Sequence, residues 1–124
     1  MNETKIGTRG FDVIFYTTKD LARARKFYEG LFDVRPAMES EHWVEYELPD
    51  GATFALAHDP VGGWTEGNGV MFGVPDMDDA VARAKSLGAE VLDRKFESPG
   101  CRATGIKDSE GNYLYLHERK AAQA

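Results

Sequence analysis

Residues 69–91, GVMFGVPDMDDAVARAKSLGAEV, decide the fold. They read as strand, helix and strand in that order. Val70, Phe72 and Val74 alternate as in a strand, and Pro75-Asp76 stops the run. Asp76 is placed to cap a helix, because its carboxylate can accept the orphan amides of the first turn and faces the positive end of the dipole. Asp79, three residues on, makes a pattern like a capping box. Met77, Ala80, Val81, Ala84 and Leu87 recur at helical spacing, with Asp78, Arg83 and Lys85 on the other face. Gly88 then stands where a left-handed residue ends a helix.

The same unit occurs once earlier in the chain. Val13–Thr18 reads as a strand and Asp20 as a cap. Leu21, Ala24, Phe27, Tyr28 and Leu31 form the apolar stripe of a helix. Asp20 maps onto Asp76 and Leu31 onto Leu87 at one common offset. Each half then ends in a turn centred on glycine and a strand, Gly51-Ala-Thr-Phe-Ala-Leu-Ala and Gly111-Asn-Tyr-Leu-Tyr-Leu-His, here at a slightly longer offset. The chain is an internal duplication of a module built from strand, helix and strands.

The 124 residues suit one domain, 1–124, with modules at about 11–58 and 69–118. A chain of this length buries roughly two-thirds of its unfolded surface and needs no disulfide or metal to fold. With 42% hydrophobic and 29% charged residues the composition is that of a globular protein. A net charge of −6 argues against a nucleic-acid partner and favours neutral or cationic ligands. The single cysteine, Cys101, forms no internal disulfide framework. The start MNETKIGTRG lacks an apolar signal core and no apolar run approaches membrane length, so the expectation is a cytoplasmic protein with no membrane partner.

In order, residues 1–9 read as a polar tail. A strand at Phe11–Thr18 precedes the helix Leu21–Leu31, and Val34–Met38 reads as a short edge strand, kept off the sheet centre by Pro36. His42–Leu48 alternates, with Val44, Tyr46 and Leu48 on one side and Trp43, Glu45 and Glu47 on the other. Pro49-Asp50-Gly51 turns it into a hairpin partner at Thr53–His58. Asp59–Asn68, rich in glycine, links the modules. After the second helix come strands at Glu90–Phe96, Cys101–Lys107 and Tyr113–Glu118, the last two joined by the turn Asp108–Asn112.

Two βαβββ modules, a helix opening Asp-Leu-x-x-Ala-x-x-Phe-Tyr at Asp20–Tyr28, and the Asp-x-x-Gly turn at Asp108–Gly111 resemble the vicinal oxygen chelate superfamily. That group holds glyoxalases, extradiol dioxygenases and bleomycin-resistance proteins. The resemblance covers residues 11–118. It implies an α+β fold in which two tandem modules form a bowl of curved sheets, and it implies a homodimer.

Enzymes of the superfamily place a His, Gln or Glu metal ligand on the first and last strand of each module. Carried over by offset, those positions are Val13, Ala55, Gly69 and Tyr115. Valine, alanine and glycine side chains offer no donor, and a neutral phenol replaces a carboxylate poorly. The resemblance is therefore to a member without the metal ligands, and no metal or other cofactor is expected.

Trp43, Phe15, Met71 and Tyr115 are the residues to line the bowl and take a flat apolar ligand. Glu45 alternates to the same face as Trp43, as base or cation partner, and His117 shares strand parity with Tyr115. His42, His58 and His117 form no HxH or HxxxH pair, and Cys101 has only Arg102 as a basic neighbour. The reading is metal-independent binding of a small aromatic or partly cationic molecule, as in bleomycin-resistance proteins. The alternative is a glyoxalase-related lyase, isomerase or dioxygenase with an atypical or absent metal site. Acid-base chemistry would then fall to Glu45, His117 or Tyr115, or a metal to Glu45, His58 and His117.

Overall fold

The computed structural model describes residues 5–58 and 63–120. The chain runs β1 (Ile14–Thr17), α1 (Leu21–Phe32), β2 (Met38–Glu39), β3 (Trp43–Glu47), β4 (Thr53–Ala57), β5 (Val70–Gly73), α2 (Met77–Ser86), β6 (Glu90–Glu97), β7 (Cys101–Lys107) and β8 (Tyr113–Arg119). Two four-stranded sheets result, ordered β1-β4-β3-β2 and β5-β8-β7-β6, so the α+β fold of two βαβββ modules stands as read. In each sheet the first strand lies parallel to the last and the others pair antiparallel.

The helices start and stop for the reasons their sequences supply. Asp20 accepts the Arg23 amide at 3.0 Å and Asp76 the Asp79 amide at 2.9 Å. Gly88 takes φ +94° directly after α2, a conformation costly for any side chain. After α1 the left-handed residue is Asp33, φ 51°, which no sequence signal singles out.

Strand limits move where pairing partners run out. The sequence pattern starts the first strand at Phe11, but β4 begins at Thr53, and β1 pairs with it only from Ile14↔Phe54 to Thr17↔Ala57. The edge strand expected at Val34–Met38 is two residues long, Met38–Glu39. Asp33 turns the chain and Pro36 has no N–H to donate, so the ladder forms only beyond them. Part of the Asp59–Asn68 linker falls outside the described residues.

Both helices lie on one side of their sheets, over Tyr16, Val44, Tyr46, Phe54, Leu56, Phe72, Ile106, Leu114 and Leu116, all buried. Aromatic rings carry this core across the module boundary. Phe54 meets Phe72 edge-on at 5.0 Å, Phe32 meets Phe72 at 4.6 Å and Tyr28 meets Phe54 at 5.2 Å. Each such pair is worth about 0.5–1.5 kcal/mol beyond its burial.

The modules are also latched through polar groups. Glu110, in the β7–β8 turn, accepts the amides of Lys19 and Asp20 at 2.8 and 2.7 Å and the Arg23 Nε at 2.7 Å. Beside it the Tyr28 hydroxyl donates to Asp108 Oδ2 at 2.5 Å. Burial pushes the Asp108 carboxyl up, partly offset by Tyr28 and the amides of Asn112 and Glu110. Burial also pushes the Tyr28 phenol well above its usual value. At Glu110 burial pulls upward too, but Arg23, Ser109 and the two helix amides outweigh it and leave the carboxyl below the ordinary glutamate value. Among the described residues no helix is long and apolar enough to cross a membrane.

Candidate functional site

The sheet faces turned away from the helices carry the candidate ligand residues, because strand alternation puts i and i+2 on one face. In β8, Leu114 and Leu116 go to the core, which leaves Tyr115 and His117 on the open side. Register sets Met71 of β5 against Tyr115, and Ala103 of β7 against His117. Met71, Tyr115 and His117 thereby come together around a cavity of about 460 Å³. Arg94, Lys95 and Phe96 of β6 and Cys101 and Ala103 of β7 complete its wall.

Gly105 explains how the wall closes. It lies between Tyr115 and the edge strand, and a Cβ there would sit 3.2 Å from both the Tyr115 ring and Arg94 Cβ. The missing side chain lets the phenol ring and the Arg94 stem approach each other.

Phe15, Trp43 and Glu45 occupy the matching face of the first module. Phe15 and Glu45 flank Ala55 in one row across the sheet, and Trp43 pairs with Ala57 in the next. The rings of Phe15 and Trp43 meet at 5.4 Å. They stand on the two strands either side of β4, whose open face carries only alanines there, so they close across it. Ala55 is completely buried as a result. The two groups of candidates thus sit on two sheets, with no strand of one sheet beside a strand of the other among the described residues. Phe15, Met71 and Phe96 remain about half exposed.

The remaining histidines do not join either group. His58 stacks on His42 at 6.0 Å, and its Nδ1 lies 3.4 Å from the Thr18 carbonyl oxygen. The metal set Glu45, His58 and His117 is not assembled. Among the described residues no three His, Cys, Asp or Glu side chains converge as metal ligands. At the four superfamily ligand positions the side chains are those of Val13, Ala55, Gly69 and Tyr115, and Ala55 lies buried beneath its face. A chelated divalent cation does not fit this donor set.

Sequence reading misses Arg94, Lys95 and Phe96 as wall residues. A register shift between Val91 and Lys95 breaks the alternation of β6, so parity counted from Glu90 misassigns the face beyond it. Trp64 packs within the module junction and stays out of the bowl. Lys19 Nζ lies 4.2 Å over its ring, and Gly111 lies against its edge.

Comparison with known proteins agrees with this architecture. The glyoxalase-like domain family matches residues 12–117. Among solved structures, a glyoxalase/bleomycin resistance protein from Albidiferax ferrireducens superposes with TM-score 0.73 at 21% identity, covering 89% of this chain and 98% of that one. The fosfomycin resistance protein FosX from Listeria monocytogenes gives 0.72 at 19%, covering 93% and 97%. An antibiotic binding protein from a Streptomyces species gives 0.71 at 20%, covering 94% and 100%. No curated protein matches the sequence. A duplicated βαβββ fold matched by that family pattern over residues 12–117 makes this chain a member of the glyoxalase-like domain family.

Proposed function

We propose that this protein binds a small, mostly aromatic molecule without a metal, in the bowl formed by the open faces of its modules. The observation that carries this reading is the cavity itself: Met71 and Phe96 give it an apolar and aromatic wall, and Tyr115 stands where a chelating relative needs a donor. The antibiotic-binding and fosfomycin-resistance proteins of the same fold support a small-molecule ligand. The polar end of the ligand meets Glu45 on one module or Arg94 and Lys95 on the other, so a cationic group is read by the first module and an anionic one by the second.

Magnitudes favour two modules acting on one ligand. One face that buries about 150 Å² of a flat ring yields roughly 4 kcal/mol at about 25 cal/mol per Å², before the entropy of association is subtracted. Micromolar affinity needs about 8 kcal/mol net, which one such face falls far short of, so burial on a second aromatic face together with polar contacts is required. Here the open faces of Phe15–Trp43 and Met71–Tyr115 do not close on each other within the chain, and a homodimer in the cytoplasm that pairs them across copies meets the requirement.

Titration with a panel of planar aromatic compounds, neutral, cationic and anionic, tests the reading. Binding at micromolar concentration that is lost in both Trp43→Ala and Tyr115→Ala supports it. Binding that survives both substitutions rejects it.

The second reading is an enzyme. Tyr115 and His117 side by side in the same cavity favour it, as groups able to move a proton. Turnover of a bound compound that falls in His117→Ala while its affinity is unchanged selects this reading over simple binding.

A further inference from the structure

The two turns that end the β3–β4 and β7–β8 hairpins are copies of each other in backbone. Leu48 N–H donates to Ala52 at 2.8 Å as Asp108 N–H does to Asn112 at 2.9 Å, and Gly51 and Gly111 share φ near +90°. Yet among the described residues only the second turn is latched onto a helix. Apart from Asp20, which keeps its type as Asp76, the main members of the Glu110 latch have been exchanged at the equivalent places in the other half. In the first turn Leu48 stands for Asp108 and Asp50 for Glu110. On the second helix Pro75 stands for Lys19, Asp79 for Arg23 and Ala84 for Tyr28. Pro75 has no N–H to donate, Asp50 is one methylene shorter, Ala84 lacks the hydroxyl, and Asp79 puts an anion where the latch needs a cation. Turn and helix therefore stay apart, and a groove of about 850 Å³ lies between them.

We propose that this groove is a second binding site, for an amphipathic organic cation. Its floor is apolar, made by Leu31, Phe32, Phe54, Phe72, Val74 and Ala80. Its border carries Asp50 from one module and Asp76 and Asp79 from the other. Asp50 accepts the Ala52 amide and Asp76 the Asp79 amide through one oxygen each, so both keep acceptor capacity. The cation bordering the groove, Arg83, lies about 6 Å further along α2 from Asp79 and donates to the Gly30 carbonyl. Three carboxylates against one occupied guanidinium select a positive head group, and the floor selects an alkyl or aryl body. The groove opens on the helix side of the sheets, since core-facing Phe54 and Phe72 line it. Of the residues around the aromatic cavity, Met71 alone borders both.

Octylammonium chloride, with 1-octanol as its neutral match, is the probe, followed by methyl NMR shifts. The ammonium should shift the methyls of Leu48, Val74 and Ala80. The double variant Asp50→Asn, Asp79→Asn should weaken it about tenfold, the size of one charge-assisted hydrogen bond. Octanol affinity should stay as it was, and Trp43→Ala should change neither. Asp79→Arg, which sets a cation among the carboxylates bordering the groove, should weaken the ammonium more than the double variant does and leave octanol binding as it was, with the chain still folded. Equal binding of ammonium and alcohol, indifference to the double variant, or shifts confined to Tyr115 and its neighbours would overturn the proposal.

Discussion

Glu110 Oε2 lies 2.7 Å from Arg23 Nε, and this ion pair joins the last turn of the chain to its first helix. The Glu110 side chain is wholly buried, whereas that of Arg23 is half exposed. The two ends of the pair therefore contribute unequally. Glu110→Ala strands the amides of Lys19 and Asp20 and should cost about 2–4 kcal/mol in urea unfolding. Arg23→Ala should cost clearly less, because water can replace its guanidinium. Equal losses would show that the ion pair, not helix capping, is what matters.

Acid should release the same latch. The Glu110 carboxyl is held below its ordinary value, so its stabilisation is complete above that value and is lost as pH falls through the lowered one. The stability gap between the native chain and Glu110→Gln should be about 1–3 kcal/mol at pH 7 and should close towards pH 3. Asp108 works in the opposite sense, since its raised carboxyl favours the fold more as it is protonated. A gap that stays constant from pH 7 to 3 would remove Glu110 as the acid-sensitive group.

The duplication, both caps and the alternation of β3 and β8 are legible in the sequence because each is written locally, in residues two to four apart. Val44 and Tyr46 inside, with Trp43 and Glu45 outside, need only period two. The latch is not legible. The Asp108–Gly111 turn is recognisable, but its partners Tyr28 and Arg23 lie some 80 residues away, and nothing local in Glu110 distinguishes a buried acceptor from a solvated one. Likewise Phe15 and Trp43 can each be read as a residue of the bowl. Their meeting over Ala55 depends on the strand order β1-β4-β3, which periodicity does not encode.

Gly67→Ala should be among the most damaging small substitutions. A Cβ at this position would lie 2.7 Å from the Tyr16 ring. That ring has nowhere to go, because its hydroxyl donates to the Tyr113 carbonyl at 2.7 Å and accepts from Val70 N–H at 3.1 Å. Overpacking of this kind costs about 1–3 kcal/mol. A melting temperature unchanged by Gly67→Ala would show the Tyr16 contact to be loose.

Ligand binding should be reported by one tryptophan only. Trp64 is packed under Lys19 beside Gly111, away from both cavities, whereas Trp43 forms the aromatic face with Phe15. Trp64→Phe should keep the ligand-induced fluorescence change and Trp43→Phe should lose it. Dialysis against EDTA should leave the change intact. Loss of binding on chelation, recovered with zinc, nickel, manganese or iron, would turn the reading towards a metalloenzyme.

Sedimentation at micromolar concentration should give twice 13.8 kDa if open faces pair between copies. Phe96→Glu, on the exposed edge strand of the cavity, should then shift the mass towards the single chain. A single-chain mass for the unmodified protein would reject pairing of the open faces between copies.

The reach of Glu110 also sets a timetable for the newborn chain. The Lys19 and Asp20 amides that start the first helix wait for an acceptor about 90 positions downstream. During synthesis at about 5–20 residues per second, the opening helix emerges seconds before its clasp exists. Until then Tyr28 has no Asp108 and Arg23 no Glu110. The first half of the protein leaves the ribosome able to form its strands and helix but not to secure them, and the last hairpin made is the one that fastens the beginning.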